Sequence, residues 1–176
     1  VDATPAERSA YLKRSAAERR ALGDDVEEVS LTNEDIGEEA VLSDTRYNEM
    51  GKHEQFVLTM TEFGYGKRSS SYDFRLTGRG GKGIRATDVS KTAEIGPLIA
   101  AFPVDDTDQI MMVSDGGQLI RVPVAGIRIA SRATKGVTVF NTAEGEKVVS
   151  VERISEPEGE DEADSVVDPS PGDAQE

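Results

Sequence analysis

Two short basic elements stand 53 residues apart in one frame: Arg79, Lys82 and Gly83 recur as Arg132, Lys135 and Gly136. The pattern common to both is R-x-x-K-G. Arginine and lysine bring charge and hydrogen-bond donors, and glycine lets the backbone approach a ligand closely. These are the means of gripping phosphate oxygens, contacts that position a protein on a nucleic acid without reading its bases. The same frame matches Arg68 to Arg121, and Lys67 stands next to the first of these. The alternative is two solvated loops with ordinary basic residues. Recurrence of both charges in register weighs against it.

Other chemistries fit less well. Gly78-Arg79-Gly80-Gly81-Lys82-Gly83 satisfies G-x-G-x-x-G literally. A dinucleotide site needs a helix after those glycines, whereas Ile84-Arg85-Ala86-Thr87-Asp88 does not read as one, and the second copy lacks the first two glycines. Lys82 is followed by Gly83 rather than Ser or Thr, so a Walker loop fails as well. His53 is the only histidine and cysteine is absent, which argues against a metal site and rules out a disulfide framework. Asp105-Asp106-Thr107-Asp108 lacks the spacing and glycine of a calcium loop and reads as a turn. No nucleophile–base pair stands out, so no catalytic residue is assigned.

The basic elements need a scaffold, and the repeat indicates which. Phe56–Gly64 runs in register with Gln109–Gly117, and the frame continues without a gap to Ile84 and Val137. A repeat of this period, with short apolar runs at Val57–Met60, Ile110–Val113, Leu119–Val122, Ile127–Ile129, Val137–Phe140 and Lys147–Val151, predicts about four strands per unit of a propeller-like fold. Turn signals lie at Gly64-Tyr65-Gly66, Asp115-Gly116-Gly117 and Glu144-Gly145-Glu146. The first unit is slightly longer between Ile84 and Val104, where Pro97 marks a loop or an edge position.

Residues 4–22 predict a helix opened by a capping box, with Thr4 as cap, Pro5 in the first turn and Glu7 closing the box. Gly23 is its stop. Its apolar positions Ala6, Ala10, Ala17 and Leu22 are small and few, so the expectation is a mostly solvated helix. Residues 24–52 are acidic, with a short helix expected from Thr32 towards Leu42. The net charge of −14 would argue against a nucleic-acid partner, but its distribution is uneven. Residues 1–55 net −7, residues 56–154 net +2, and residues 155–176 net −9 with no base at all. The tail has few apolar groups to offset chain entropy and is expected to be disordered. No apolar run approaches the ~20 residues of a membrane span. A chain that begins with Val1 is expected to be part of something longer.

On these motifs the chain resembles the C-terminal DNA-wrapping domain of DNA gyrase A, a β-pinwheel of propeller-like blades. The residues carrying the resemblance are Phe63-Gly64-Tyr65-Gly66-Lys67-Arg68, Arg79–Gly83, Val104–Met112, Arg132–Val137 and Thr142-Ala143-Glu144, with the acidic tail after Glu156. The fold class implied is mainly β: the last two blades, at residues 54–104 and 105–154, between a helical acidic insertion at 1–53 and a disordered tail at 155–176. The family's basic box reads Q-R-R-G-G-R/K-G. Thr77 and Gly78 stand where Gln and Arg would be, so 77–83 is a degenerate copy. Arg46-Tyr47 echoes the family's cleavage dipeptide without its helix-turn-helix surroundings, so Tyr47 is not expected to be a nucleophile.

The resemblance implies part of an ATP-dependent, negatively supercoiling type II topoisomerase in the bacterial cytoplasm, associated with the nucleoid. Its partners would be duplex DNA, gyrase B and a second copy of gyrase A in a heterotetramer, with ATP and Mg2+ supplied through gyrase B. This segment would hold neither the cleavage tyrosine nor the ATPase, and would bend DNA through Lys67, Arg68, Arg79, Lys82, Arg121, Arg132 and Lys135. The rivals are the corresponding domain of topoisomerase IV and a protein-binding propeller with no DNA role.

Overall fold

The computed structural model describes residues 2–23 and 41–155. The helix expected from Thr32 and the acidic tail from residue 156 lie outside them. Helix α1 spans Pro5–Ala21 and is capped as its sequence dictates: Thr4 Oγ1 accepts from the Glu7 amide at 3.2 Å and Glu7 accepts from the Thr4 amide at 2.8 Å. It is not mostly solvated. Tyr11, Leu12, Ser15 and Ala16 are buried, while Leu22, expected on the apolar face, is exposed. The burial comes from aromatic partners far along the chain. The Tyr11 ring lies 5.0 Å from Tyr47 and 5.1 Å from Tyr72. Tyr47 belongs to helix α2, Asp44–Lys52, which lies within the stretch expected to be helical and acidic but beyond the short helix expected from Thr32 towards Leu42. Arg46 ties the two helices by bonding Glu7 at 2.9 Å while also holding Glu49 at 2.8 Å.

The remainder is built on two antiparallel sheets. Strands β1 (Phe56–Thr61), β2 (Tyr65–Ser70), β3 (Leu98–Val104) and β6 (Val137–Thr138) form one in the order β3-β1-β2-β6. Strands β4 (Gln109–Ser114), β5 (Leu119–Pro123) and β7 (Val148–Ile154) form the other in the order β5-β4-β7. The 53-residue register survives in detail. The pairing of β1 with β3 slips between Met60 and Thr61, and that of β4 with β7 slips at the repeat positions Val113 and Ser114. Each hairpin is followed by a 3-10 turn, Ser71–Asp73 and Val124–Gly126. The first unit departs from the frame where it is longer. There a 3-10 turn, Val89–Lys91, and the short helix α3, Thr92–Ile95, precede β3. Pro97 lies just before β3, an edge strand, where a missing amide breaks no ladder.

Three sequence expectations shift. Tyr65 and Gly66 are strand rather than turn. Leu98–Val104, not among the apolar runs read as strands, is a full strand. Ile127–Ile129 is not a strand and contributes a single bridge to Arg68. The core lies between the sheets, with Leu58, Met60, Ile110, Met112, Val124 and Phe140 buried. Each such apolar side chain contributes roughly 1.5–3 kcal/mol relative to exposure. β4 shows the expected alternation, with Ile110, Met112 and Ser114 turned inward. β2 does not alternate: Gly66 to Ser70 are all buried, because a segment of the second unit lies across it.

Candidate nucleic-acid interface

That crossing segment determines what the basic residues can do. After the turn Val124–Gly126 the chain leaves the second sheet and passes over β2 of the first. The Arg68 amide donates to the Arg128 carbonyl and the Ala130 amide to the Arg68 carbonyl, both at 2.9 Å. Ser69 Oγ donates to the Ala130 carbonyl at 2.9 Å. Thr138 and Val137 then pair with Tyr65 and Gly66. The second R-x-x-K-G element, 132–136, is thus a loop docked on the first sheet. Gly136 makes the docking possible. Its φ is +78°, and a Cβ there would sit 2.5 Å from the Gly66 carbonyl oxygen.

Three of the seven expected phosphate ligands are used inside this arrangement. Lys67 is 1% exposed, and its ammonium donates to the carbonyls of Arg132, at 2.7 Å, and Thr134. Arg68 is 6% exposed; its guanidinium donates to the Ile127 carbonyl at 2.7 Å and the Ala125 carbonyl at 3.2 Å, and pairs with Asp106. Arg132 is 8% exposed and bound to Asp73, whose carboxylate accepts the Arg132 amide at 2.7 Å while its carbonyl accepts Nε at 2.8 Å. A guanidinium or ammonium with several fixed protein acceptors and little exposure has little left to offer a phosphate. In this structure the three side chains act as internal staples of the loop.

The other four lie outside. Arg79 and Lys82 are exposed on the loop 78–83. Arg121 is exposed on β5, level with Met111 of β4 and Glu152 of β7. Lys135 is partly exposed, bonds Glu94 at 2.6 Å and stands 5.7 Å from the Tyr65 ring centre. The hydrogen bond from Lys135 lowers the pKa of Glu94. Repeat mates therefore differ: Arg68 is buried because a segment crosses β2, and Arg121 is exposed at the edge of its sheet. The two basic loops are brought side by side. Arg132 Nη1 donates to the Arg85 carbonyl at 3.2 Å, and the Asp88 amide donates to the Thr134 carbonyl at 3.2 Å. This draws in Arg75 and Arg85, exposed residues outside the R-x-x-K-G elements; Arg75 recurs as Arg128, whereas Arg85 has Thr138 as its mate. Composition could have found them: residues 74–87 hold Arg75, Arg79, Lys82 and Arg85 and no acid.

Among the described residues no cluster of His, Cys, Asp or Glu could hold a metal ion, and no helix is long and apolar enough to cross a membrane. His53 caps the end of α2, with Nδ1 2.9 Å from the Glu49 carbonyl. Asp105–Asp108 is a turn closed by the Asp108 carboxylate on the Asp105 amide at 2.8 Å. The Tyr47 hydroxyl donates to Glu18 at 2.7 Å, and burial pushes its pKa up, away from phenolate character.

A family model described as the DNA gyrase C-terminal domain, beta-propeller, matches residues 55–105 and 108–155. DNA gyrase A of Granulibacter bethesdensis is 40% identical, with 97% of this chain and 19% of that protein aligned. DNA gyrase A from Rickettsia bellii is 39% identical over 94% of this chain and 18% of its own length. That from Escherichia coli is 41% identical over 62% of this chain and 12% of its own. The chain therefore spans about a fifth or less of the length of these relatives. A solved DNA gyrase A C-terminal domain superposes with a TM-score of 0.53 at 24% identity, over 58% of this chain and 34% of that one. The C-terminal domain of a DNA topoisomerase IV superposes with 0.53 at 21%, over 57% and 31%. At such identities these superpositions speak for the fold alone.

Proposed function

Because this chain belongs to the DNA gyrase C-terminal domain family, we propose that it binds duplex DNA along the paired basic loops and bends it, as part of a gyrase-type topoisomerase. The observation that supports this reading is the juxtaposition of the loops. Arg75, Arg79, Lys82 and Arg85 are exposed on one long loop, and Lys135 stands on the neighbouring loop, which contacts it at Arg85 and Asp88. Bending a short duplex costs roughly 1–6 kcal/mol, so several phosphate contacts must act together. Lys135 stands on a loop docked on β2, so its contact comes at little entropic cost, while Arg79 and Lys82 reach out from an exposed loop joined to it at Arg85 and Asp88. Arg121, on the β5 edge, completes the set of contacts.

In this reading the wider enzyme is an ATP-dependent supercoiling topoisomerase of the bacterial cytoplasm. A second copy of gyrase A and the gyrase B protein complete it, and ATP and Mg2+ belong to gyrase B. This chain contributes no bond-breaking residue and delivers bent DNA to the cleavage machinery. The acidic tail, net −9 over 155–176, competes with DNA for the basic track. The names of the relatives favour gyrase over topoisomerase IV, although the two structural superpositions score alike.

The test is the salt dependence of duplex binding. Each phosphate contact contributes about 0.9 to the slope of log K against log salt. Replacing Arg79, Lys82, Arg121 and Lys135 by Ala should flatten the slope by roughly 3–4. An unchanged slope refutes the track. Sealing a nicked circle in the presence of the chain tests bending: no shift in linking number would favour a protein-binding role.

A further inference from the structure

The 3-10 turn Ser71–Asp73, with Phe74 after it, lies between two bodies. The helical pair touches one side. Arg8 Nη1 donates to the Phe74 carbonyl at 3.2 Å and the Tyr72 hydroxyl donates to the Met50 carbonyl at 3.0 Å. The Tyr72 ring meets Tyr11 edge-on. The docked basic loop touches the other side. The Asp73 side chain, 8% exposed, accepts the Arg132 amide at 2.7 Å and Ser131 Oγ at 3.1 Å, and its carboxylate pairs with Arg132 Nε at 3.4 Å.

The repeat supplies an internal comparison. Tyr72-Asp73-Phe74 corresponds to Ala125-Gly126-Ile127 in the second turn. The turn that the helices back therefore carries the phenol that bonds them and the carboxylate that holds the loop, whereas the second turn has neither. The two basic loops differ in the same sense. Gly83 and Gly136 share a φ of +78°, yet a Cβ at Gly83 would meet nothing within 4 Å, while Gly136 is packed on β2.

We propose that the helical pair α1–α2 is a positioning element for the loop 131–136, acting through Asp73 as the positioning residue. The pair fixes the strip 71–74, the strip fixes the Asp73 carboxylate, and Asp73 holds the backbone from which Lys135 projects. A loop ordered in advance loses less entropy on binding than one that must be ordered by its ligand. The consequence for DNA rests on the wrapping function proposed above; the mechanical coupling does not.

Hydrogen–deuterium exchange on the full 176-residue chain tests it, with Tyr72→Phe and the double variant Arg8→Met/Tyr72→Phe beside the wild type. Neither altered residue hydrogen-bonds the loop. Exchange in 131–136 should rise roughly tenfold in the double variant, the effect of losing one or two hydrogen bonds of local stability, with β1 and β4 unchanged. Affinity for a 40-base-pair duplex should fall severalfold. If the double variant loosens β1 and β4 as well, Tyr72→Phe, which removes one hydroxyl, carries the test. Loop exchange equal to wild type overturns the proposal; faster exchange with unaltered affinity upholds the coupling and overturns its consequence for DNA. Faster loop exchange in a chain whose wild type binds no duplex upholds the coupling and defeats the wrapping function instead.

Discussion

Replacing Lys67 by Met separates the two roles a basic residue can have in this fold. Lys67 is 1% exposed, and its ammonium serves the carbonyls of Arg132 at 2.7 Å and Thr134. Methionine keeps most of the apolar stem and removes the charge. The Thr134 carbonyl retains the Asp88 amide at 3.2 Å, so the main loss falls on the Arg132 carbonyl. An orphaned buried acceptor costs about 1–3 kcal/mol, and the lost bonds are charge-assisted. Burying an ammonium is itself costly, and its removal offsets part of that. The net is about 2 kcal/mol of destabilisation. With a urea m-value of about 1–3 kcal/mol/M, the unfolding midpoint followed by far-UV circular dichroism should drop by about 1 M. Arg121→Met, at an exposed position, should stay within about 0.5 kcal/mol of wild type. A Lys67→Met midpoint equal to wild type, together with a duplex-binding salt slope reduced by about 0.9, would return Lys67 to the phosphate and refute the internal staple.

Gly136→Ala and Gly83→Ala place the same side chain at the same φ of +78°. Both carry the left-handed penalty of about 1–2 kcal/mol, but only Gly136→Ala also forces a Cβ to 2.5 Å from the Gly66 oxygen. It should unfold at clearly lower denaturant, and equal midpoints would mean the loop is not docked on β2. Glu7 is held down to about 2, first by the hydrogen bond from Arg46 and then by the Thr4 amide. A depressed carboxylate stabilises fully above its unfolded value of 4.5 and loses that contribution as pH falls from there towards 2. Near-UV circular dichroism of the tyrosine cluster should therefore weaken across that window, and Glu7→Gln should reduce the pH dependence; an identical profile in the variant would remove Glu7 from the helix clamp. Deleting residues 156–176 should raise duplex affinity at low salt and have less effect once screening is strong; unaltered affinity would leave the tail no role in DNA competition.

The sequence by itself determined the frame. Apolar runs and turn residues recurring at 53 residues specify the hairpins and their following turns, because hydrophobic pattern and turn chemistry act locally. The capping box likewise specified α1 from Thr4 and Glu7 alone. Sequence also placed the two R-x-x-K-G elements as equivalent, and the fold made them unequal. Whether a base is a phosphate ligand or a staple depends on what lies across it. Ile127–Thr138 lies across β2 and buries Lys67 and Arg68, whereas Arg121 on β5 stays exposed. Arg132 faces Asp73, 59 residues distant in the chain. The buried face of α1 was hidden for the same reason, since Tyr11 is covered by Tyr47 and Tyr72 from distant segments. A charged side chain reads alike in sequence whether solvated or buried. Only the tertiary structure, by supplying fixed acceptors and excluding water, decides which charges remain available to DNA.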